Sequence, residues 1–340
     1  MAGHYIALDV HCAFSEMAVL NSRGDFVKQD RCATTIPALV AMLAEVGRPR
    51  RVTFEEGPLA DWLARELRSH VDQLIVCEPR RNHWIAKEGD KDDPVDARKL
   101  AALYRGGYLK EVHQPATLER SLLKQEVLLY HDRVRERVRQ GNQLVALFRR
   151  HGVFTHVSRL LDPDDWRCAL QKLPGDPPLH ERFTMIRQLY ELLLAQEDRL
   201  RTGLVGRAQN FEPVRRFQEI PGMGWIRSVT FFALIDTPQR FRQKRALWRY
   251  AGIGLLRRHS GAGATRTQLC REGNRRLKNV LLGAALTVIQ GDNPFAEKYR
   301  FWTEEQGLHR ANAKRNVARA VATTLWQLWK SGQTYAPERV

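Results

Sequence analysis

The sequence predicts a mixed α/β domain followed by long helices and a mostly helical, basic C-terminal region. Three observations carry this prediction. Short apolar runs, two of them ending in an acid, alternate with helical patterns between Tyr5 and Cys77. Leucines at helical spacing fill two long charged stretches in the middle of the chain. Basic helical patterns with interleaved tryptophans occupy the remainder.

Taken in order, HYIALDV is a short apolar strand that ends in a carboxylate, Asp9. MAVLNSRGDFVK reads as two strands joined around Ser22-Arg23-Gly24, a hairpin signal. IPALVAMLAEV is helical; Pro37 is tolerated because a first-turn N–H has no helical partner to lose. RVTFEE is a second acid-tipped strand, DWLARELRSH a helix, and QLIVCEP a strand stopped by Pro79. The order is three strands, helix, strand, helix, strand, which matches the RNase H layout. A doubly wound dinucleotide fold would start strand–helix–strand around a glycine-rich turn, and no such turn follows Asp9.

Helical patterns then run from Leu118 to about Gly152 and from about His180 to Gln209, broken by a proline-rich linker. They predict a pair of helices, an antiparallel or intermolecular coiled coil acting as spacer and dimer contact. Three segments follow: 1–115, 116–210 and 211–340.

The chain carries 55 Lys and Arg against 38 Asp and Glu in 340 residues, a net charge of +17. That surplus favours a polyanionic partner. No run approaches the ~18 apolar residues of a membrane span. The first residues show no basic segment and cleavage site of an export signal, so nucleic acid is the expected partner rather than a membrane. Five cysteines without a CxxC pair argue against a zinc site or disulfide framework and fit a reducing cytoplasm.

Two readings meet in KDDPVDARKL. In one, Asp93 caps a helix with Pro94 behind it, and Asp96 complements the free N–H groups of the first turn. In the other, positions 93, 96, 100 and 103 share a helix face, so both aspartates turn inward with Leu100 and Leu103. An inward carboxylate pair calls for a cation. Asp9 and Glu55 end two strands of the same domain, and four carboxylates without His or Cys ligands suit Mg²⁺. Two such ions about 4 Å apart serve phosphodiester chemistry. Glu56 competes with Glu55, which is preferred because VTFE mirrors IALD. His11 could lie nearby, though a surface role is the simpler one.

In the C-terminal region IPGMG places Gly222 and Gly224 in a hairpin that could bring backbone N–H groups to a phosphate. Arg275, Arg276 and Lys278 in GNRRLKNVL add a basic helix. Trp248, Tyr250, Trp326 and Trp329 suit either base stacking or a core. RRHSGAGATR, read alone, is a turn between basic flanks.

YIALD, VTFEE and KDDPVDARKLA together resemble the Asp-Glu-Asp-Asp signature of bacterial insertion-sequence transposases of the IS110 family. The resemblance continues through IPGMG, RFRQKRALWRYAGIGLLRRHSGAGATR and GNRRLKNVL, and so covers nearly the whole chain. It implies a RuvC-like RNase H domain, a coiled coil and a transposase domain, in that order. It implies Asp9, Glu55, Asp93 and Asp96 as catalytic metal ligands and Ser260 as a nucleophile that forms a phosphoserine link to DNA. Arg257, Arg258 and Arg266 could supply positive charge around the phosphorus, and Gly261 and Gly263 close approach of the strand. The family further implies a composite site and a non-coding guide RNA; we expect the site to form across protomers, in a homodimer that pairs into a tetramer when donor and target duplexes are held. Many members have Glu-Ala-Thr-Gly where this chain has Glu55-Glu56-Gly57-Pro58, which leaves the choice of glutamate open. Two other readings stand beside this one: a metal-dependent, junction-resolvase-like nuclease with Ser260 a bystander, and a catalytically silent nucleic-acid-binding regulator.

Overall fold

A computed structural model describes residues 3–79, 93–258, 266–270 and 272–339. The chain divides into two compact units, 1–121 and 122–340.

In the first unit β1 (His4–Val10), β2 (Phe14–Leu20) and β3 (Phe26–Ala33) are followed by α1 (Ile36–Ala44), β4 (Arg50–Glu55), α2 (Ala60–Leu67), β5 (Gln73–Cys77) and α3 (Asp93–Arg105). The element order through β5 is the one read from the sequence. The strands form one sheet in the order β3-β2-β1-β4-β5. β1 pairs antiparallel with β2 and parallel with β4, and β5 pairs parallel with β4. The β2–β3 turn is built by Asn21, whose side-chain oxygen accepts the backbone N–H of Arg23, Gly24 and Asp25 at 2.9–3.0 Å. Gly24 there has φ 98°, a conformation that strains other residues.

Strand alternation sorts the side chains onto two faces. Ile6, Leu8, Met17, Val19, Val52 and Phe54 pack in one cluster with Leu39, Leu43, Leu63 and Leu67 of α1 and α2. The opposite face carries Ala7, Leu20 and Cys77, which pack with Leu100 and Ala101 of α3.

The expected stripe on α3 is corrected by one helical position. Its buried residues are Ala97, Leu100, Ala101 and Tyr104, while Leu103 is half-buried. Two alanines let the helix sit close to the sheet, and Tyr104 meets Tyr5 edge-on with ring centroids 5.5 Å apart. That contact rotates the helix and leaves Asp96 half-buried at the margin of the packed face.

The second unit holds most of α4 (Leu118–Arg150), then α5 (Pro163–Gln171), α6 (Pro177–Ala208), α7 (Glu212–Phe217), α8 (Trp225–Ile235), α9 (Lys244–Tyr250), the hairpin β6 (Leu255–Arg258) and β7 (Arg266–Leu269), α10 (Arg275–Val288), α11 (Pro294–Arg300) and α12 (Arg310–Ser331). The long helices α4 and α6 run antiparallel. Glu126 meets Arg207 at 3.3 Å, Arg137 meets Glu197 at 2.5 Å, and Phe148 meets Phe183 at 4.7 Å between ring centroids. Their far ends enclose a small core of Leu144, Phe148, Trp166 and Phe183. Their near ends contribute Leu123, Val127, Tyr130, Leu204 and Ala208 to the core of α8, α10 and α12. That shared core explains why the helical pair and the basic region form one unit where the sequence suggested two segments.

Every residue of α8 from Ser228 to Ile235 is buried. The interleaved aromatics pack around it. Trp326 donates to the Pro238 carbonyl at 2.8 Å, Tyr250 to the Leu234 carbonyl at 3.2 Å, and Trp248 to Thr323 Oγ1 at 3.1 Å. Trp329 lies against Phe217 and Phe232. Among the described residues no helix is long and apolar enough to cross a membrane.

Candidate active site

The acidic residues of the first unit are placed by strand register. Leu8 pairs with Phe54 across the parallel β1–β4 ladder, so Asp9 and Glu55 follow side by side. Both have the parity of Ala7 and Thr53 and therefore face α3, whereas the parity of Glu56 is opposite. On the other side Asp9 pairs with Glu16, and Glu16 with Arg31. One row thus crosses four strands: Arg31, Glu16, Asp9, Glu55.

The N-terminal end of helix α3, which carries Asp96, lies toward that row. Tyr104 sits at Tyr5, near the start of β1, so α3 runs against the strand. From Tyr104 back to Asp96 the helix rises ~12 Å, and from Tyr5 to Asp9 the strand rises ~13 Å. The match carries Asp96 to the Asp9 end of the sheet. Asp93 opens the same helix one turn earlier; its side chain lies outside the described residues.

Asp9 Oδ2 lies 3.3 Å from His11 Nε2, and His11 packs on Phe14 with ring centroids 4.8 Å apart. The Arg31 guanidinium lies 3.6 Å over the Phe14 ring and 3.4 Å from Glu16. Glu16 is the residue that sequence reasoning missed. Its side chain is only 9% exposed, yet it stands in an apolar strand, FSEMAVL, where no motif marks it. The short β1–β2 connection was the available signal, because it sets Glu16 opposite Asp9. The donors on this face are carboxylate oxygens, a set that suits a hard divalent cation. Among the described residues no three His, Cys, Asp or Glu side chains gather at one ligating point.

The second unit presents the basic hairpin. Its strands pair antiparallel with Arg258 opposite Arg266, and Ser260 falls in the connecting segment, outside the described residues. The side chains of Arg257, Arg258 and Arg266 lie outside them too. The base of the hairpin is tied down three times. Cys270 N–H donates to the Gly254 carbonyl at 2.9 Å, and Asn274 N–H to the Tyr250 carbonyl at 2.8 Å. Gly252 and Gly273 stack backbone on backbone: a Cβ on Gly273 would meet Gly252 N at 2.6 Å. Asn274 then caps α10, accepting from Leu277 N–H at 3.0 Å.

The other basic and glycine positions have distinct surroundings. Arg276 donates to Asp132 of α4 at 2.5 Å. Arg275 is exposed and Lys278 half-buried beside Gly252. A Cβ on Gly222 would meet the Ala284 carbonyl at 2.9 Å, so its φ of 79° is used to pack the turn onto α10. Gly224 faces open space and precedes α8 without a side-chain cap.

A carboxylate row on a mixed sheet and a basic helical unit carrying a glycine-locked hairpin define a nucleic-acid-processing protein. A family model described as "Transposase", of the DEDD type of IS110, matches residues 6–152, and one described as "Transposase IS116/IS110/IS902 family" matches residues 214–300. The chain belongs to this family of insertion-sequence transposases and is a DNA transposase. Among its relatives, the transposase for insertion sequence element IS1111A of Coxiella burnetii is 23% identical over 257 residues, covering 73% of this chain and 69% of that protein. The putative transposase y4pF/y4sB of Sinorhizobium fredii is 29% identical over 286 residues, covering 80% of this chain and 70% of that protein.

Proposed function

We propose that this transposase cuts and rejoins duplex DNA through a phosphoserine bond formed by Ser260, with the carboxylate row of a RuvC-like, RNase H-type sheet acting on the same phosphate. The observation that carries the reading is the register that sets Asp9 beside Glu55 on the face covered by α3, joined to family matches over both the acidic and the serine-bearing parts.

In the forward step Ser260 Oγ gives up its proton and bonds to phosphorus, and the bond to the 3′ oxygen breaks; that oxygen takes a proton and leaves as a 3′-hydroxyl. A 3′-hydroxyl of the exchanged strand reverses the step and restores the phosphodiester, with no net loss of bonds. Asp9, Glu55, Asp93 and Asp96 would hold a divalent cation, Mg²⁺ by their oxygen chemistry, and when bound it supplies Lewis-acid polarisation of the phosphate. Asp9 is oriented for this by His11, and Glu16 keeps Arg31 at the rim. Arg257, Arg258 and Arg266 flank the serine and would balance charge on the pentavalent phosphorus.

The acids and the serine are contributed by two copies of the chain, in a dimer that pairs into a tetramer on donor and target DNA. A non-coding guide RNA selects those sites; a net charge of +17 is compatible with carrying RNA and DNA at once. The setting is the bacterial cytoplasm.

Incubating the chain, together with the RNA that purifies with it, with donor and target duplexes and denaturing it tests the reading. Protein-linked DNA forms in the wild type and is lost in Ser260→Ala. Cleavage that persists in Ser260→Ala without any adduct would instead make the protein a metal-dependent, resolvase-like nuclease.

A further inference from the structure

Most half-buried arginines of the second unit face a carboxylate: Arg137 meets Glu197, Arg187 meets Glu191, and Arg276 meets Asp132. Arg227 and Arg240 donate instead to carbonyls and to Thr287, and Arg319 on α12 has no carboxylate partner among the described residues either. Its Nε donates to the Ile253 carbonyl at 2.7 Å and its Nη1 to Asn316 Oδ1 at 2.6 Å, both neutral acceptors. One turn earlier Arg315 is also half-buried and donates to Asn312 Oδ1 at 3.0 Å. Among the described residues neither arginine pairs with an Asp or Glu. Burial and the neighbouring Arg315 both weaken the hold of Arg319 on its proton. Guanidinium nevertheless stays charged in proteins, so the two cations are held one turn apart without compensation. A half-buried like-charge pair is costly unless an anion joins it.

The position of the pair matters. Ile253 stands two residues before β6, which leads to Ser260. Exposed Arg249 flanks the next residue so closely that a Cβ on Gly254 would meet its Cγ at 2.9 Å. We propose that Arg315 and Arg319 form a phosphate-binding subsite for the DNA backbone, and that Arg319 is a positioning residue that couples the bound phosphate to the hairpin through the Ile253 carbonyl. The subsite rests on the DNA-transposition reading for its substrate. Duplex DNA is favoured over RNA because the hairpin that the pair supports is the one carrying the nucleophile.

The fork geometry of Arg319 uses Nε and Nη1 at once, which the single ammonium of lysine cannot reproduce. Two measurements on the full chain therefore separate binding from positioning. The first is the salt dependence of affinity for a donor duplex. Arg315→Gln should lower the slope of log affinity against log salt by about 0.9, the share of one phosphate. The second is adduct formation. Arg319→Lys should keep the wild-type slope while the adduct yield falls at least ~10-fold, a split that lost stability alone does not produce. Arg319→Gln should lower both, and if it fails to fold Arg315→Gln still decides the binding arm. An unchanged slope in Arg315→Gln, or a slope that changes only with RNA, overturns the subsite. A wild-type adduct yield in Arg319→Lys overturns the positioning role. Failure of the serine reading shows differently, as absence of a Ser260-dependent adduct in the wild type, and leaves the slope measurement to decide the subsite.

Discussion

The two regions to which the proposed function assigns chemistry are built on opposite plans. The acidic face is placed by regular structure: a ladder register sets Asp9 between Glu16 and Glu55, and α3 adds Asp96 by running against β1. The serine-bearing hairpin is placed by exceptions to regular structure. Two glycines at φ 66° and 146° stack backbone on backbone at its base, and Arg319 holds a carbonyl from outside. A ladder tolerates changed side chains because its backbone bonds remain. A glycine lock does not, because a Cβ on Gly273 would run into Gly252 and one on Gly252 would be strained at φ 66°. Substitutions in the two regions should therefore fail in different ways.

The largest effect is expected from Asp9→Asn. It keeps shape and strand pairing while removing the charge at the centre of the row, and recombination should fall about 1,000-fold or more with thermal stability near wild type. A comparable loss of stability would erase the distinction between the regions. Gly273→Ala comes next and should fail through the fold: its Cβ would sit 2.6 Å from Gly252 N, at a cost of about 2–4 kcal/mol, read by chemical denaturation. Smaller again is Glu16→Gln, which leaves Arg31 without its counter-charge. With Arg31 largely exposed it should lose about 1 kcal/mol of stability or less, and a recombination rate reduced by about 10-fold would show that the row acts as a unit.

The smallest effect concerns His131 of α4. It bonds Thr230 at 2.9 Å, and its pKa is lowered by burial and then by Arg276. The folded state therefore binds fewer protons than the unfolded chain below the ordinary histidine value of 6.5, and stability is lost as pH falls through it. His131→Gln should flatten the fall of melting temperature with acid while leaving the neutral value little changed.

How far each region could be read from sequence follows from the same contrast. Asp9 and Glu55 were legible because an acid directly after an apolar strand breaks the pattern where a sheet ends. Glu16 was not, since its only mark is the partner that register sets opposite it. The α3 stripe was read one position off because the Tyr5–Tyr104 contact that rotates the helix is a tertiary fact. Gly222 read as a phosphate-binding turn, and the structure shows the packing against Ala284 that its conformation serves. Arg276 read as a free basic residue, and its bond to Asp132 depends on a helix more than a hundred residues away in sequence. The role proposed for Ser260 comes only from the family resemblance, because a serine among glycines and arginines has the composition of an ordinary loop.

The carboxylate face as a cation site is the claim on which the rest stands, and calorimetric titration of the full chain with Mn²⁺ tests it without depending on catalysis. Wild type and Ser260→Ala should bind the ion alike, and Asp9→Asn should lose that binding. Equal binding by Asp9→Asn and wild type would contradict the account.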